Sequence, residues 1–481
     1  MKILSDVALT YDDVLLVPQY SNVDSRKKLS TQTKLTPKII LQTPMVSANM
    51  DTVTESEMAM AMAREGGIGI IHRFMSIEEQ VQQIERVKKS ESFIVDEPIM
   101  LTTSHTVGDA RKIVEDTGSG GILIVDPTKQ LVGIITTRDL LFEDDASKPV
   151  GELMQKHVVT APHDTTLKEA ERLLHEHRIE KLPLVDNAGR VVGLITLKDI
   201  MKLEKYPKAT KDLRGRLAVG AAVGVKEREL MRVEKVLTAG ADCIVVDIAH
   251  GDSELEIEMI KSIRKNFPSA QIIGGNVATA DGTQRLIDAG ADAVKVGVGP
   301  GSICITRVVA GSGVPQLSAV IECAEVARSA NIPIIADGGV RASGDVVKAL
   351  AAGASTVMIG SLLAGTDESP GLLMTRQGHR YKTSRGMASV QASAARKTRE
   401  GDGSLRVTQE EIDEYVSEGV DAAVPYRGSV KEVLAQLVGG LQSGMSYSGA
   451  HTLQELQEKA VFVRMTPVGL IESLPHDVQV L

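Results

Sequence analysis

From about residue 207 onward, short and continuously apolar runs alternate with helix-period stretches, and the runs end in polar or glycine-containing segments. Ile244–Gly251 (IVVDIAHG), Ile272–Ala278 (IIGGNVA), Ala293–Gly299 (AVKVGVG), Pro333–Gly339 (PIIADGG) and Thr356–Gly360 (TVMIG) are examples. A strand that is apolar on both faces belongs in a parallel sheet covered on both sides by helices. The number and regular recurrence of these runs favour an α/β fold of the closed (β/α)8 TIM barrel type over an open doubly wound sheet. Two more such runs, TPMVSANMD and GGIGIIH, lie within residues 43–73. The barrel therefore starts near the N-terminus, breaks off, and resumes after residue 207.

The intervening stretch repeats itself at an offset of 60 residues. Leu123–Asp126 (LIVD) matches Pro183–Asp186 (PLVD), and Val132–Asp139 (VGIITTRD) matches Val192–Asp199 (VGLITLKD). Val107 and Ala110 fall opposite Leu167 and Ala170, so the helical parts keep register. Two strand, strand and helix units that each end in Thr-x-x-Asp resemble a tandem CBS (Bateman) module. The resemblance implies that Thr136 and Asp139, or Thr196 and Asp199, hold the ribose of a regulatory purine nucleotide such as ATP or GTP; a purely structural pair is the plainer alternative. The expected division is 1–92 for the first barrel segment, 93–205 for the tandem module and 206–481 for the second barrel segment.

Composition narrows the function. Lys plus Arg number 54 against 63 for Asp plus Glu, a net charge of −9, and aromatic residues make up 2% with no Trp. Few stacking platforms and net negative charge disfavour nucleic-acid binding. No apolar run reaches membrane-spanning length, and Asp6, Asp12 and Asp13 interrupt any signal-type core, so a cytoplasmic protein is expected. The three cysteines, Cys243, Cys304 and Cys323, are too few and scattered for a disulfide framework.

Gly297–Arg307 (GVGPGSICITR) directly follows a barrel strand, which puts a glycine-rich loop carrying a thiol and a hydroxyl where barrel active sites are built. Gly297, Gly299 and Gly301 allow backbone groups to approach a phosphate or an ion closely. Cys243 lies within an apolar strand and Cys323 within a helix, where Cys acts as a small hydrophobe. Cys304, on the loop, is the thiol that can serve as a nucleophile. Asp337, ending another strand before Gly338 and Gly339, suits a ribose diol; an Asx turn or helix cap would use it equally well. Gly360 and Ser361 end the next strand, and together these turns suggest a 5′-nucleotide.

The Cys304 loop, Asn49–Val53 (NMDTV), Asp337–Gly339, Arg385–Met387 (RGM) and Pro475–Gln479 (PHDVQ) resemble the IMP dehydrogenase/GMP reductase family, a barrel that often carries a CBS pair. The resemblance covers essentially the whole chain. It implies a covalent adduct of Cys304 with purine C2, assisted by Thr306 and Glu418. It implies phosphate contacts from Ser302, Gly338, Gly339, Gly360 and Ser361, ribose contact from Asp337, and further substrate contacts from Ala48, Met50, Arg385, Gly386, Met387 and Ala388. The dinucleotide is expected near Asp247, Ala249, Asn276, Gly297 and Gly299. A monovalent cation, K+, is expected on carbonyls of Gly299, Gly301 and Cys304, and a homotetramer or homooctamer as the assembly.

Two reactions run through such an adduct. Dehydrogenases hydrolyse it with a flap that carries adjacent Arg-Tyr, and no such pair stands between Met387 and Glu418. The one Arg-Tyr pair, Arg380–Tyr381, precedes Arg385, while Arg396, Arg399 and Arg406 remain as isolated arginines. Pro315–Ala324 (PQLSAVIECA) and Asn49 resemble reductases; the CBS pair and the closing PHDVQ resemble dehydrogenases. The expectation is a GMP reductase, converting GMP and NADPH to IMP, ammonia and NADP+. IMP dehydrogenase is the alternative enzyme, and a catalytically impaired nucleotide sensor is the alternative of another class.

Overall fold

The computed structural model describes all residues except 1, 2, 4, 5, 92, 93, 205, 391, 393–415, 476, 477 and 479–481. The chain divides into two compact units, Met1–Lys88 with Lys208–Thr210 and Leu217–Leu481, and Lys89–Pro207 with Lys211–Arg216.

The first unit is built on a closed barrel of eight strands: β1 (Met45–Ser47), β2 (Ile68–Ile71), β3 (Val219–Val223), β4 (Cys243–Asp247), β5 (Ile272–Val277), β6 (Ala293–Val296), β7 (Ile334–Asp337) and β8 (Thr356–Ile359). Every neighbouring pair is parallel, and β8 closes on β1 through Val357 opposite Met45. The runs read as continuous because successive residues serve two cores. Ile244 and Val246 pack with the surrounding helices, whereas Cys243 and Val245 join Ile273, Ala293, Ile335 and Met358 in a second cluster. Burying each Val, Ile or Met side chain contributes roughly 1.5–3 kcal/mol, which fixes strand register and so the positions of the loops at the strands' C-terminal ends. A three-stranded antiparallel sheet, Leu373–Arg376, His379–Arg385 and Asp421–Pro425, also belongs to this unit.

In the second unit the repeat of the sequence is a repeat of structure. A helix, two antiparallel strands and a second helix occupy Val107–Thr117, Gly121–Val125, Leu131–Thr136 and Thr137–Leu141, and again Leu167–Glu176, Lys181–Val185, Val191–Thr196 and Leu197–Glu204. Each copy has its own core, and Leu123, Ile134 and Leu194 form a third cluster between them. The two hairpins bond reciprocally: Leu131 N donates to Gly189 O and Val191 N to Lys129 O, both at 3.1 Å. That reciprocity is the local two-fold relation expected of two like surfaces meeting. Among the described residues no helix is long and apolar enough to cross a membrane.

Candidate active site

Four consecutive strands supply polar side chains near their C-terminal ends: Asp247 from β4, Asn276 from β5, Lys295 from β6 and Asp337 from β7. Asn276 Nδ2 donates to the Asp337 carboxylate at 2.9 Å and to the Gly297 carbonyl at 2.8 Å. The Lys295 ammonium donates to Asp337 at 3.1 Å, to Asp247 at 3.3 Å and to the Asn276 side-chain oxygen. Asp337 faces the cavity as part of a charged network, its Oδ2 accepting from Asn276 on β5 and Lys295 on β6. Gly297 is required where the chain leaves β6, since at φ +149° a Cβ would lie 2.1 Å from the Asp337 carbonyl.

The Cys304 loop rests on segments far away in sequence. Ile305 N donates to Glu418 O at 2.9 Å, Val420 N to Ile303 O at 3.0 Å, and Glu418 N to Ala388 O at 3.1 Å. Gly386 and Gly419 let the last two segments touch, because a Cβ on Gly386 would lie 2.9 Å from the Gly419 Cα. The outcome is a chain of side chains: the Cys304 thiol donates to Thr306 Oγ1 at 3.2 Å, and the Thr306 hydroxyl donates to a Glu418 carboxylate oxygen at 2.7 Å. All three are half-buried. A thiol, a hydroxyl and a carboxylate in line can pass a proton from the sulfur's surroundings to the carboxylate. Cys243 and Cys323 are fully buried; burial pushes the Cys323 thiol up to about 11 despite a hydrogen bond from Thr283's side, and pushes Cys243 higher still. Neither is disposed to act as a thiolate.

Beside this chain lies a cavity of about 290 Å³ lined by Ala48, Met50, Ser302, Asp337, Gly338, Gly339, Gly360 and Ser361, all anticipated from sequence. Thr10, Tyr11, Gln316 and Arg341 also line it and were not anticipated. Tyr11 is buried, and burial, Asp345 and Asp337 hold its phenol protonated. Gln316 donates to the carbonyls of Val296 (2.8 Å) and Asp337 (3.2 Å). Of the unanticipated residues, Arg341 carried a signal in the sequence, since it follows Gly338 and Gly339 on the loop after β7. Arg385, Gly386, Met387 and Ala388 do not line this cavity: Arg385 pairs with Asp51 through Nε at 2.7 Å beside a neighbouring cavity, and Met387 Sδ accepts from Asp51 N at 3.4 Å. Ala249 is exposed in the loop after β4, while Gly299 and Gly301 are half-buried.

Arg380 stacks on the Tyr426 ring at 4.0 Å. The segment with Arg396, Arg399 and Arg406 lies outside the described residues, as do His476, Asp477 and Gln479. In the second unit, Thr136 N and Oγ1 donate to Asp139 at 2.8 and 2.6 Å, and Thr196 Oγ1 donates to Asp199 at 2.6 Å. These carboxylates close the first turns of the helices that follow.

The model of the IMP dehydrogenase/GMP reductase domain matches residues 8–476. Inosine-5′-monophosphate dehydrogenase of Nitrosopumilus maritimus is 54% identical over 470 residues, covering 98% of both chains. That of Aquifex aeolicus is 54% identical over 475 residues, covering 98% of this chain and 96% of its own. Among solved structures, GMP reductase of Trypanosoma brucei bound to guanosine 5′-monophosphate, a cysteine-to-alanine variant, is 46% identical with a TM-score of 0.83, covering 98% of both chains. The expected assignment to a GMP reductase, with its NADPH-dependent deamination, is overturned: the dehydrogenases share more of the sequence than the reductase does. The missing Arg-Tyr pair and the Pro315–Ala324 run outweighed the repeat and the closing PHDVQ in that expectation, whereas identity over the whole chain favours the dehydrogenases; Thr306 and Glu418 suit either reaction.

Proposed function

The chain belongs to the IMP dehydrogenase/GMP reductase family, and from that premise we propose that it is an IMP dehydrogenase, converting IMP, NAD+ and water to XMP and NADH. The greater identity to the dehydrogenases, 54% against 46% for the reductase, carries the reading, and Cys304, Thr306 and Glu418 supply the groups it needs. Cys304, as thiolate, bonds to purine C2, and C2 gives up its hydride to the nicotinamide, which supplies the oxidant. Water then adds to C2 and the carbon–sulfur bond breaks, returning the thiolate. Thr306 lies within reach of a water beside the sulfur; it takes the water's proton while giving its own to Glu418.

Ser302 and the amides of Gly338, Gly339, Gly360 and Ser361 take the phosphate, and Asp337 the ribose. Ala48, Met50 and the Arg385–Ala388 segment frame the base. Asp247, Ala249, Asn276, Gly297 and Gly299 form the dinucleotide side. Asp247 and Asp337 keep 20% and 23% of their side chains accessible, which fits hydroxyl-bearing ligands. Carbonyls of Gly299, Gly301 and Cys304 would hold K+, on a turn that the Cys304 N to Gly301 O bond closes at 3.1 Å. The repeat unit is a CBS pair taking ATP or GTP at Thr136, Asp139, Thr196 and Asp199, and the assembly is a cytoplasmic homo-oligomer.

Purified protein supplied with IMP and NAD+ should form XMP and NADH in equal amounts over many turnovers. NADPH consumption with GMP and release of ammonia, with no XMP from IMP, would overturn the reading.

A further inference from the structure

The reaction just described gives Lys295 no part, yet this residue joins the two halves of the site. It stands on β6, between β5 and β7, with its side chain 3% exposed. An ammonium buried this deeply is retained only where it is paired and hydrogen-bonded. Its partners are Asp247 at 3.3 Å, Asp337 at 3.1 Å and the Asn276 side-chain oxygen, one from each of three other strands. Asn276 in turn bonds Asp337 at 2.9 Å, which closes a ring of contacts. Burial works against charge on Lys295, but Asp337 and Asp247 outweigh it and hold the ammonium protonated. The backbone accommodates the arrangement: a Cβ on Gly275 would lie 2.8 Å from the Lys295 Cβ, so β5 can approach only as glycine.

We propose that Lys295 is a positioning residue for hydride transfer, its ammonium fixing the ribose-side carboxylate of Asp337 and the dinucleotide-side groups Asn276 and Asp247 in one register. The inference rests on the proposed reading of the site. Lys295 touches neither reacting atom; it acts through the groups it ties together. Without it, Asp337 and Asp247 repel each other, Asn276 loses the partner that orients its amide, and the two ligands lose their common reference. Misplacement of about 1 Å between reacting groups costs about 10²-fold in rate.

The test compares wild type with Lys295→Met, which keeps the length of the chain, and Lys295→Gln, which keeps a donor. With IMP deuterated at C2, both variants should lower kcat by about 10²-fold and make a primary isotope effect on kcat visible, as hydride transfer becomes limiting. Circular dichroism and melting should remain those of a folded barrel. Lys295→Gln should be the milder of the two. Unchanged kcat with an unchanged isotope effect would overturn the proposal. So would a reduced kcat with no isotope effect, or failure of both variants to fold, which would make the ammonium purely structural. If wild type makes no XMP, the proposed function fails by itself; Lys295 is then judged by calorimetry with IMP, where Lys295→Met should weaken binding about 10-fold through the displaced Asp337, and equal binding would overturn it.

Discussion

The chain pairs a threonine hydroxyl with a carboxylate in two regions, to different ends. In the repeat unit Thr136 bonds Asp139 and Thr196 bonds Asp199, three residues apart, in a contact that a helix start makes by itself. In the barrel unit Thr306 bonds Glu418 across 112 residues of sequence, and the carboxylate arrives there because backbone pairing of Gly419 with Cys304 carries it in. A local pair supports its own helix whether or not a ligand exists. A pair assembled from distant segments, with a half-buried thiol at 3.2 Å from the same hydroxyl, depends on the packing of the whole unit and places three groups suited to proton transfer in line. Spacing separates a cap from a relay when the functional groups are the same.

The comparison breaks most severely at the sulfur. Cys304→Ala should reduce turnover about 10³-fold or more while IMP binding stays within tenfold, since phosphate and ribose contacts lie elsewhere; steady-state rates and calorimetry check this. Retention of more than a few per cent of the rate would remove Cys304 from the reaction. Thr306→Val and Glu418→Gln should each cost about 10²-fold, within the usual range for a positioned acid or base. The two changes together should cost little more than one, because they sit in a single path. Independent, multiplying losses would show that the two residues do not act in series.

The local pairs predict the reverse pattern. Asp139→Ala or Asp199→Ala should lower the stability of the repeat unit by about 1 kcal/mol, the usual worth of a helix cap, and leave basal turnover unchanged. If ATP or GTP alters activity, the response should be blunted by one or both changes. A loss of basal turnover comparable with that of Glu418→Gln would erase the distinction between cap and relay.

A third carboxylate sharpens the comparison at the smallest scale. Glu256 is buried, accepts from Gly275 N at 2.6 Å, and is held well above its ordinary value of 4.5 by burial, which outweighs that hydrogen bond. Because its value is raised on folding, the folded state holds the proton more tightly. Its contribution is therefore fully present below pH 4.5 and is lost as pH rises through the folded value. Glu256→Gln should remove that loss, so its melting temperature should rise relative to wild type as pH increases above about 5. A difference that narrows with pH would contradict the protonated assignment.

The barrel could be read in advance because buried parallel strands leave uninterrupted apolar runs, and the repeat because two copies keep the same offset of 60 in strands and helices alike. Most of the cavity lining was legible for a related reason: glycine-bearing turns at strand ends are where a barrel places ligands. Lys295 was hidden inside one of those runs, AVKVGVG, where a single charge looks like an interruption until its three partners on three other strands are known. Tyr11 and Gln316 come from segments outside the strand ends, which only packing brings to the cavity, whereas Arg341 stands on the same loop after β7 as Gly338 and Gly339. The choice between reductase and dehydrogenase failed for a physical reason. Both reactions need the same thiol, hydroxyl and carboxylate, so Thr306 and Glu418, though read correctly, could not separate them, and one short flap motif weighed more than likeness along the whole chain.

The relay at Cys304 is tested most directly by following Glu418→Gln through its first turnover with IMP and NAD+. If Thr306 and Glu418 drive hydrolysis, NADH should appear in a rapid burst of about one equivalent per active subunit. Intact-mass analysis should then find the nucleotide attached at Cys304, with XMP released slowly afterwards. A variant that releases XMP at the wild-type rate with no bound nucleotide, or one that shows neither burst nor adduct, would contradict the account.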